Sequence, residues 1–276
     1  MAQCRLCPLS YGAAMTSSET CNTLDYKGFC DFVEAGKPIE NAELEANWLE
    51  GKDLTDIEFK NCYFEPESEF DSVDFRNSRW KDTEFAACTF KNCDLREATF
   101  ENCGFYFATT RAGSSFRHCD LSDVEFHSCD LRISSFPFAH LFCVSFQNCR
   151  MGGTFFEGSD FGKSMGARAL KPRASFTDCQ MAYASLNDLD LDDAIMTDCD
   201  LSNTNLSNTS LSGADLQRSS IEYAETDRLN LSYADLRGGQ IGTLLLQTLS
   251  GYRGLMISAN QQHLLLTGLG IKVEPD

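Results

Sequence analysis

A bulky apolar residue returns at every fifth position over most of this chain. The pattern holds through residues 70–105, 116–161 and 176–246, with one miss at Thr226. The position two residues earlier usually holds Cys, Ala or Thr, and the other three positions are mostly polar. A period of five fits neither an α-helix, with 3.6 residues per turn, nor a half-buried strand, with a period of two. It predicts a solenoid whose stacked units share one continuous core.

Two segments identify the type of solenoid. Ala214-Asp215-Leu216 and Ala234-Asp235-Leu236 carry the A(D/N)Lxx unit of the pentapeptide-repeat family, which the chain resembles over roughly residues 50–247. The resemblance implies an all-β fold, a right-handed quadrilateral parallel β-helix with four fives in each square turn. In that fold the central Phe or Leu points inward, and the small residue two positions earlier fits the corner. The right hand agrees with the general rule for parallel crossovers.

We predict three segments along the chain. Residues 1–48 show no five-residue pattern and form an N-terminal extension and cap, because the end of a solenoid must cover its open core. Residues 49–247 form the β-helix, with a local bulge where one extra residue precedes Phe70. Residues 248–276 hold a short C-terminal helix and a dimerisation segment. Met15 offers an alternative translation start, which would leave residues 1–14 as an extension.

The repeat is interrupted twice, which predicts two projecting loops. Phe105 and Phe116 are eleven residues apart, so residues 106–113 leave the regular wall. After Phe161 the next in-phase positions are Gly166 and Lys171, so residues 162–173 form the second loop. The second loop holds four basic residues and no acidic one. Insertions in solenoids are often binding loops, and this reversal of sign favours function over a merely tolerated insertion.

The C-terminal segment predicts one short helix near residues 259–267. Ser258 and Gln261 form a capping box, and Gly268 stands at the position of a C-cap glycine. The apolar residues of this segment either cover the last coil or join a second copy across a two-fold axis. The predicted dimer-interface residues are Leu264, Leu265, Leu269 and Ile271.

The acidic composition narrows the possible partners. With 41 acidic and 23 basic residues the net charge is −18, so direct binding to nucleic-acid phosphates is disfavoured and basic protein surfaces are favoured. Keeping a rod soluble is an equally weighted explanation. The first twenty residues lack the apolar core of a signal peptide, and no apolar stretch is long enough for a membrane span, so we expect a cytoplasmic protein.

Most cysteines occupy the small position of the repeat, where they act as compact buried residues and stay reduced in a cytosol. Cys4 and Cys7 form a single C-x-x-C without a second pair at zinc spacing, so we expect no metal site. The four histidines are scattered and no nucleophile or phosphate-binding motif is present, so we expect no enzyme and no cofactor. The nine cysteines at the small position are Cys62, Cys88, Cys93, Cys103, Cys119, Cys129, Cys149, Cys179 and Cys199.

The two interruptions give a closer resemblance. Loops of about eight and twelve residues, starting some 56 residues apart, resemble those of the Qnr quinolone-resistance proteins. The segments Phe105-Tyr106 and Leu269-Gly270-Ile271, and residues 126–131, support this likeness. It implies a rod-like homodimer that binds DNA gyrase and topoisomerase IV and relieves their poisoning by fluoroquinolones. The chain departs from the pattern in its long N-terminal region, and its loop sequences match only loosely.

Charge density supports a weak DNA mimic. Residues 1–50 carry −5 and residues beyond 246 are neutral, so the repeats carry −13 of the −18. About nine coils at about 4.8 Å make a rod of roughly 43 Å, or about one charge per 3.3 Å, against about one per 1.7 Å in duplex DNA. The loops would then fix the position of the rod on its partner. The alternatives are a non-catalytic scaffold for another protein, and self-immunity against a gyrase-directed toxin. The predicted partner-binding residues are Tyr106, Phe107, Thr110 and Arg111 in the first loop and Lys163, Met165, Arg168, Leu170, Lys171 and Arg173 in the second.

Overall fold

The computed structural model describes residues 24–165, 168–170 and 174–272. It contains a four-sided parallel β-helix in which equivalent residues of successive coils are about twenty residues apart, as Phe126 and Phe146 are. The faces are numbered in chain order. Successive central residues are Phe126 and Phe146 on the first face, Phe105 and Leu131 on the second, Phe116 and Phe136 on the third, and Leu121 and Leu141 on the fourth.

The strands are two or three residues long because each face of the square has room for no more. Single parallel bridges connect the coils where no strand is formed. The strands are β1 (Ile39–Glu40), β2 (Glu43–Leu44), β3 (Glu58–Lys60), β4 (Tyr63–Phe64), β5 (Glu69–Asp71), β6 (Arg79–Lys81), β7 (Thr89–Lys91), β8 (Thr99–Glu101), β9 (Tyr106–Phe107), β10 (Ala112–Gly113), β11 (Ser115–Arg117), β12 (Glu125–His127), β13 (Ser145–Gln147), β14 (Lys163–Met165), β15 (Arg168–Leu170), β16 (Ser175–Thr177) and β17 (Ile195–Thr197). The first face is an eight-stranded sheet with the order β1-β3-β6-β8-β12-β13-β16-β17.

The corners explain the polar part of the repeat. The residue two positions after each central residue usually adopts a positive φ, as in Asn102 (φ 54) and Asp198 (φ 58). This left-handed conformation disfavours most side chains and is tolerated best by Gly, Asn and Asp. Asn and Asp account for 15 of the 30 described non-glycine residues with positive φ, so the polar residues of the repeat make its turns.

The core is a column of stacked side chains, as the five-residue pattern predicts. All the central residues predicted between 70 and 241 are buried, except Thr226 at the miss. The last predicted central residue, Leu246, is instead half-buried in a 3-10 helix. On the first face the ring centroids of Phe126 lie 4.9 Å from Phe100 and 5.0 Å from Phe146, with the rings nearly parallel. The nine cysteines of the small position are also buried, and thiols such as that of Cys149 donate to backbone carbonyls of their own and the preceding coil. Both predictions are confirmed.

The β-helix begins earlier than the sequence pattern predicts. Ile39, Leu44 and Leu49 are buried central residues, and Ile39 pairs with Phe59 one coil later. The prediction that no five-residue pattern precedes residue 49 is therefore wrong. The central residues of the first coil are aliphatic instead of aromatic, and the coil follows soon after a helix. Its five-residue pattern is therefore short and hard to distinguish in the sequence. The bulge before Phe70 is confirmed, since the register there spans 21 residues, as between Phe59 and Trp80.

A helix covers the N-terminal end of the core. Helix α1 (Tyr26–Glu34) begins at Asp25, whose carboxylate accepts a hydrogen bond from the Gly28 N–H at 2.8 Å. Its residue Phe29 is fully buried, with its ring 5.9 Å from that of Trp48. The position of α1 agrees with a cap over the open core. The Cys4–Cys7 pair and Met15 lie outside the described residues.

At the other end the coils continue past the last predicted repeat. Parallel bridges reach Met256, after a short 3-10 helix at Leu246–Thr248. A second 3-10 helix, Ala259–Gln261, leads into helix α2 (Gln262–Gly268). No helix in the described part of the chain is long and apolar enough to cross a membrane.

The predicted capping box is confirmed, since the Ser258 N–H donates to the Gln261 side chain at 2.6 Å. The predicted C-cap is wrong: Gly268 lies inside α2, and Gly270 (φ 75) takes the left-handed conformation after it. Gly268 serves a different purpose, because a Cβ there would lie 2.9 Å from the Leu244 carbonyl oxygen. Its missing side chain lets the helix approach the last coil.

Candidate functional site

The first predicted loop is a β-hairpin at the corner between the second and third faces. Strands β9 and β10 pair antiparallel, with Tyr106 opposite Gly113. The hairpin adds six residues to its coil, because Gly104 bridges to Asp130 across 26 residues instead of 20. Thr110 and Arg111 lie in its exposed turn.

The base of this hairpin is held against the next coil. The guanidinium carbon of Arg132 lies 4.1 Å from the centroid of the Tyr106 ring, a cation–π contact. Arg132 also forms a bidentate pair with Asp130, with the closest atoms at 2.6 Å. At Gly113 a Cβ would lie 2.3 Å from the Ser134 backbone nitrogen, so only glycine allows this approach. Tyr106 and Phe107 are half-buried, which leaves Thr110 and Arg111 as the freely exposed predicted residues.

A half-buried carboxylate lies beside the hairpin. Glu84 lies over Gly104, where an added Cβ would be 2.6 Å from the Glu84 carboxyl carbon. Burial raises the pKa of Glu84, and the negative charge of Asp130 raises it further. The adjacent Asp130–Arg132 pair raises the pKa of Arg132 through a charge-assisted hydrogen bond. Sequence reasoning missed Glu84, because its environment depends on a glycine twenty residues away.

The second predicted loop also contains a hairpin, at the corner between the fourth and first faces. Strands β14 and β15 pair antiparallel, with Lys163 opposite Leu170 and Met165 opposite Arg168. The loop adds ten residues to its coil, since Phe146 pairs with Phe176 across 30 residues. The remaining predicted residues, Lys171 and Arg173, lie outside the described residues.

The two hairpins do not converge on one site. The first follows Phe105 on the second face and the second follows Phe161 on the fourth face, so they leave diagonally opposite corners. About two and a half coils, or roughly 12 Å along the axis, separate them. A partner that contacts both hairpins must therefore reach around the rod.

The coils after the second hairpin have few basic residues among their acidic ones. Residues 174–242 hold twelve acidic and three basic residues, whereas residues 51–105 hold thirteen acidic and seven basic residues. Earlier aspartates form close pairs, such as Asp74 with Arg76 at 2.6 Å and Asp94 with Arg96 at 2.5 Å. Between 178 and 200 there are seven aspartates and no lysine or arginine. We call these seven the acidic belt: Asp178, Asp188, Asp190, Asp192, Asp193, Asp198 and Asp200.

The four predicted interface residues at the C-terminal helix fall into two pairs that differ in exposure. Leu264 and Leu265 pack against the core and cover the last coil. Leu269 and Ile271 are 47% and 48% exposed. The buried amide of Gln261 donates to the carbonyls of Leu236 and Gly239, both at 2.8 Å, and so satisfies two acceptors at the open end.

Sequence comparison identifies the repeat directly. A model for a pentapeptide repeat region matches residues 85–156, and a model for eight copies of the pentapeptide repeat matches residues 199–239. Residues 85–156 and 199–239 therefore consist of pentapeptide repeats. A search of curated proteins finds no significant match.

Comparison of structures extends the likeness in fold over most of the chain. A trypsin-treated variant of QnrB1, a plasmid-mediated fluoroquinolone resistance protein, superimposes with a TM-score of 0.61 at 23% identity. The match covers 75% of this chain and 98% of that structure. Full-length QnrB1 matches with a TM-score of 0.54 at 21% identity, over 85% of this chain and 97% of the other. The fold is thus the predicted right-handed quadrilateral β-helix, and it is Qnr-like.

Proposed function

We propose that this protein binds DNA gyrase and topoisomerase IV and protects them from fluoroquinolone poisoning. The observation that carries the proposal is the match over nearly the whole of QnrB1, a fluoroquinolone resistance protein, in a rod that also bears two hairpins. The described residues contain no cluster of three or more potential metal ligands. Binding through surfaces is the function we assign.

The acidic belt is the part of the rod whose charge best complements the cationic DNA-binding surface of a topoisomerase. Seven carboxylates lie within two coils, of which Asp198 is paired with Arg218 at 2.6 Å, and together they present a local negative potential that would draw the rod toward a cationic saddle on a topoisomerase. Such attraction speeds association but does not fix position. We assign positioning to the two hairpins, with Arg111 on one and the basic residues of 162–173 on the other. We place this activity in the cytoplasm, with no direct contact to nucleic acid.

We further propose a homodimer joined through the C-terminal end. Five apolar side chains are exposed there, more than a rod end facing water requires. Two-fold pairing of this end would bury them and double the length of the rod. They are Leu245, Tyr252, Met256, Leu269 and Ile271, exposed by 37%, 50%, 43%, 47% and 48%.

The hairpins can be removed without breaking the register. Replacing residues 162–173 by the dipeptide Ser-Asn, which follows Leu201 in an uninterrupted coil, restores five-residue spacing between Phe161 and Phe176. Replacing residues 106–113 in the same way restores it between Phe105 and Phe116. Both variants should keep the far-ultraviolet circular dichroism of the wild type.

Gyrase supercoiling in the presence of ciprofloxacin measures the effect of each replacement. We expect the wild-type protein to restore supercoiled product and the variant lacking 162–173 to restore none. Full protection by a folded variant without residues 162–173 would remove that hairpin from the mechanism. Failure of the wild type itself to protect would favour the alternative of a scaffold for an unrelated protein.

A further inference from the structure

The third face carries an exposed apolar cluster midway along the rod. Ile133, Phe138, Phe155 and Tyr183 lie on or beside this face in three successive coils, and are 44%, 47%, 47% and 69% exposed. We call these four residues the third-face patch. Coils about 4.8 Å apart bring them within reach of a single partner segment. Ile133 and Tyr183 lie at the corner with the second face, Phe138 lies at the corner with the fourth, and Phe155 lies on the face between them. Exposed apolar side chains grouped on one face of a protein mark interaction sites.

The fold does not require apolar residues at these positions. Phe155 occupies a bridge position whose neighbours in the adjacent coils are Ser135 and Ser185. Ile133 (φ 56), Phe138 (φ 57) and Tyr183 (φ 63) occupy left-handed corners, and half of the described non-glycine residues in that conformation are Asn or Asp. Among the described residues Ile133 is the one β-branched residue with positive φ. Such strain lowers stability and is retained mainly at functional sites.

A shallow groove with a volume of about 560 Å³ lies on the third face, and Phe155 is the patch residue that lines it. Its apolar lining comes from Phe155 and Pro137, and its charged lining from Glu157 and Asp188, with no basic residue among the lining side chains. Phe138 packs over Gly158, a lining residue of the groove, since a Cβ at that position would lie 2.7 Å from the Phe138 ring. The groove therefore suits an apolar side chain flanked by positive charge.

The patch is continuous with the first hairpin. Gly113 at the base of the hairpin packs on the backbone of Ile133 and Ser134, so the hairpin tip and the patch share one edge of the third face. The second hairpin leaves the opposite corner. A partner seated on the first hairpin would extend naturally over the patch.

We propose that the third-face patch is a docking site for a segment of the topoisomerase that presents an aliphatic or aromatic side chain next to lysine or arginine. This inference rests on the proposed function and adds to it a surface outside both hairpins. The apolar residues supply affinity, and Glu157 and Asp188 select a cationic segment.

The combined variant Phe138→Asn, Phe155→Ser and Tyr183→Asn tests the site, because each new residue is one that equivalent positions already hold. The control is Tyr233→Asn, which removes a 55%-exposed tyrosine with φ 62 from a corner that does not border the third face. Binding to immobilised gyrase holoenzyme and to topoisomerase IV is measured by surface plasmon resonance, with thermal unfolding as a check on folding.

We expect the triple variant to bind at least tenfold more weakly, which corresponds to about 1.4 kcal/mol, and the control to bind within twofold of the wild type. Equal binding by the triple variant and the wild type would overturn the docking site while leaving the proposed function intact. If the wild type bound neither enzyme, both proposals would be overturned.

The charge of the expected segment is tested separately. Glu157→Gln with Asp188→Asn removes two charges and keeps side-chain size, and Asn suits the left-handed corner at 188. We expect a slower association rate that depends less steeply on salt concentration. An unchanged salt dependence would contradict a cationic segment.

Discussion

Phe126→Ala measures how much one stacked ring contributes to the rod. The Phe126 side chain is fully buried, and its ring is stacked on both sides at centroid distances of 4.9 and 5.0 Å. Truncating a buried Phe costs about 3–5 kcal/mol in the free energy of unfolding, and offset stacking adds to the loss from burial. We therefore expect a loss of about 4 kcal/mol, a large share of the roughly 5–15 kcal/mol typical of a folded protein.

Urea unfolding followed by circular dichroism gives the free energy of unfolding and the m value. Because each coil contacts only its neighbours, an unchanged m value is needed to show that the chain still unfolds cooperatively. The matched control is Phe155→Ser, which removes the same type of ring from the outside of the wall and should change stability by no more than about 0.5 kcal/mol. A loss below about 1 kcal/mol for Phe126→Ala, or equal losses for both variants, would refute the inward stack as the source of stability.

Three further predictions concern the hairpin, the patch and the C-terminal end. Burial raises the pKa of Glu84, so the ionised carboxylate destabilises the folded state at pH 7. Glu84→Gln should therefore raise the Tm at pH 7, and this gain in Tm should shrink as the pH falls toward 4. A gain in Tm that does not change with pH would contradict this account. Ile133→Asn should raise the free energy of unfolding by about 0.5–1 kcal/mol, because Asn tolerates the left-handed corner, and a loss on urea unfolding would show that the exposed Ile is well packed. Leu269→Asp with Ile271→Asp should halve the mass measured by sedimentation equilibrium, whereas an unchanged mass would contradict the proposed dimer interface.

The central column of the fold could be predicted from sequence because five-residue spacing is a local property. For residues such as Phe126 and Leu216, the five-residue spacing alone predicts that the side chain points inward. Even so, the first coil was missed, because Ile39 and Leu44 directly follow a helix and their short aliphatic run resembles an ordinary apolar segment. Only pairing with Phe59 and Phe64 one coil later shows that they belong to the β-helix.

The candidate functional surfaces were harder to predict from the sequence because they depend on the register between coils. The position of each interruption in the sequence was predictable. The placement of the two hairpins at diagonally opposite corners is known only once the pairing of the coils shows which face precedes each hairpin. The anchoring of Tyr106 by Arg132 joins residues 26 apart, and the approach of Gly113 to Ser134 joins residues 21 apart. Tyr106 is therefore held by its own chain, although its sequence position suggested a partner contact. The left-handed backbone of corner residues such as Ile133 could be recognised only in the structure.

Gyrase supercoiling under ciprofloxacin, with the intact protein titrated into the reaction, tests the central claim most directly. We expect supercoiled product to return and to reach a plateau as the protein saturates its site on the enzyme. No recovery at any concentration of the folded protein would contradict topoisomerase protection and leave only the fold in common with QnrB1.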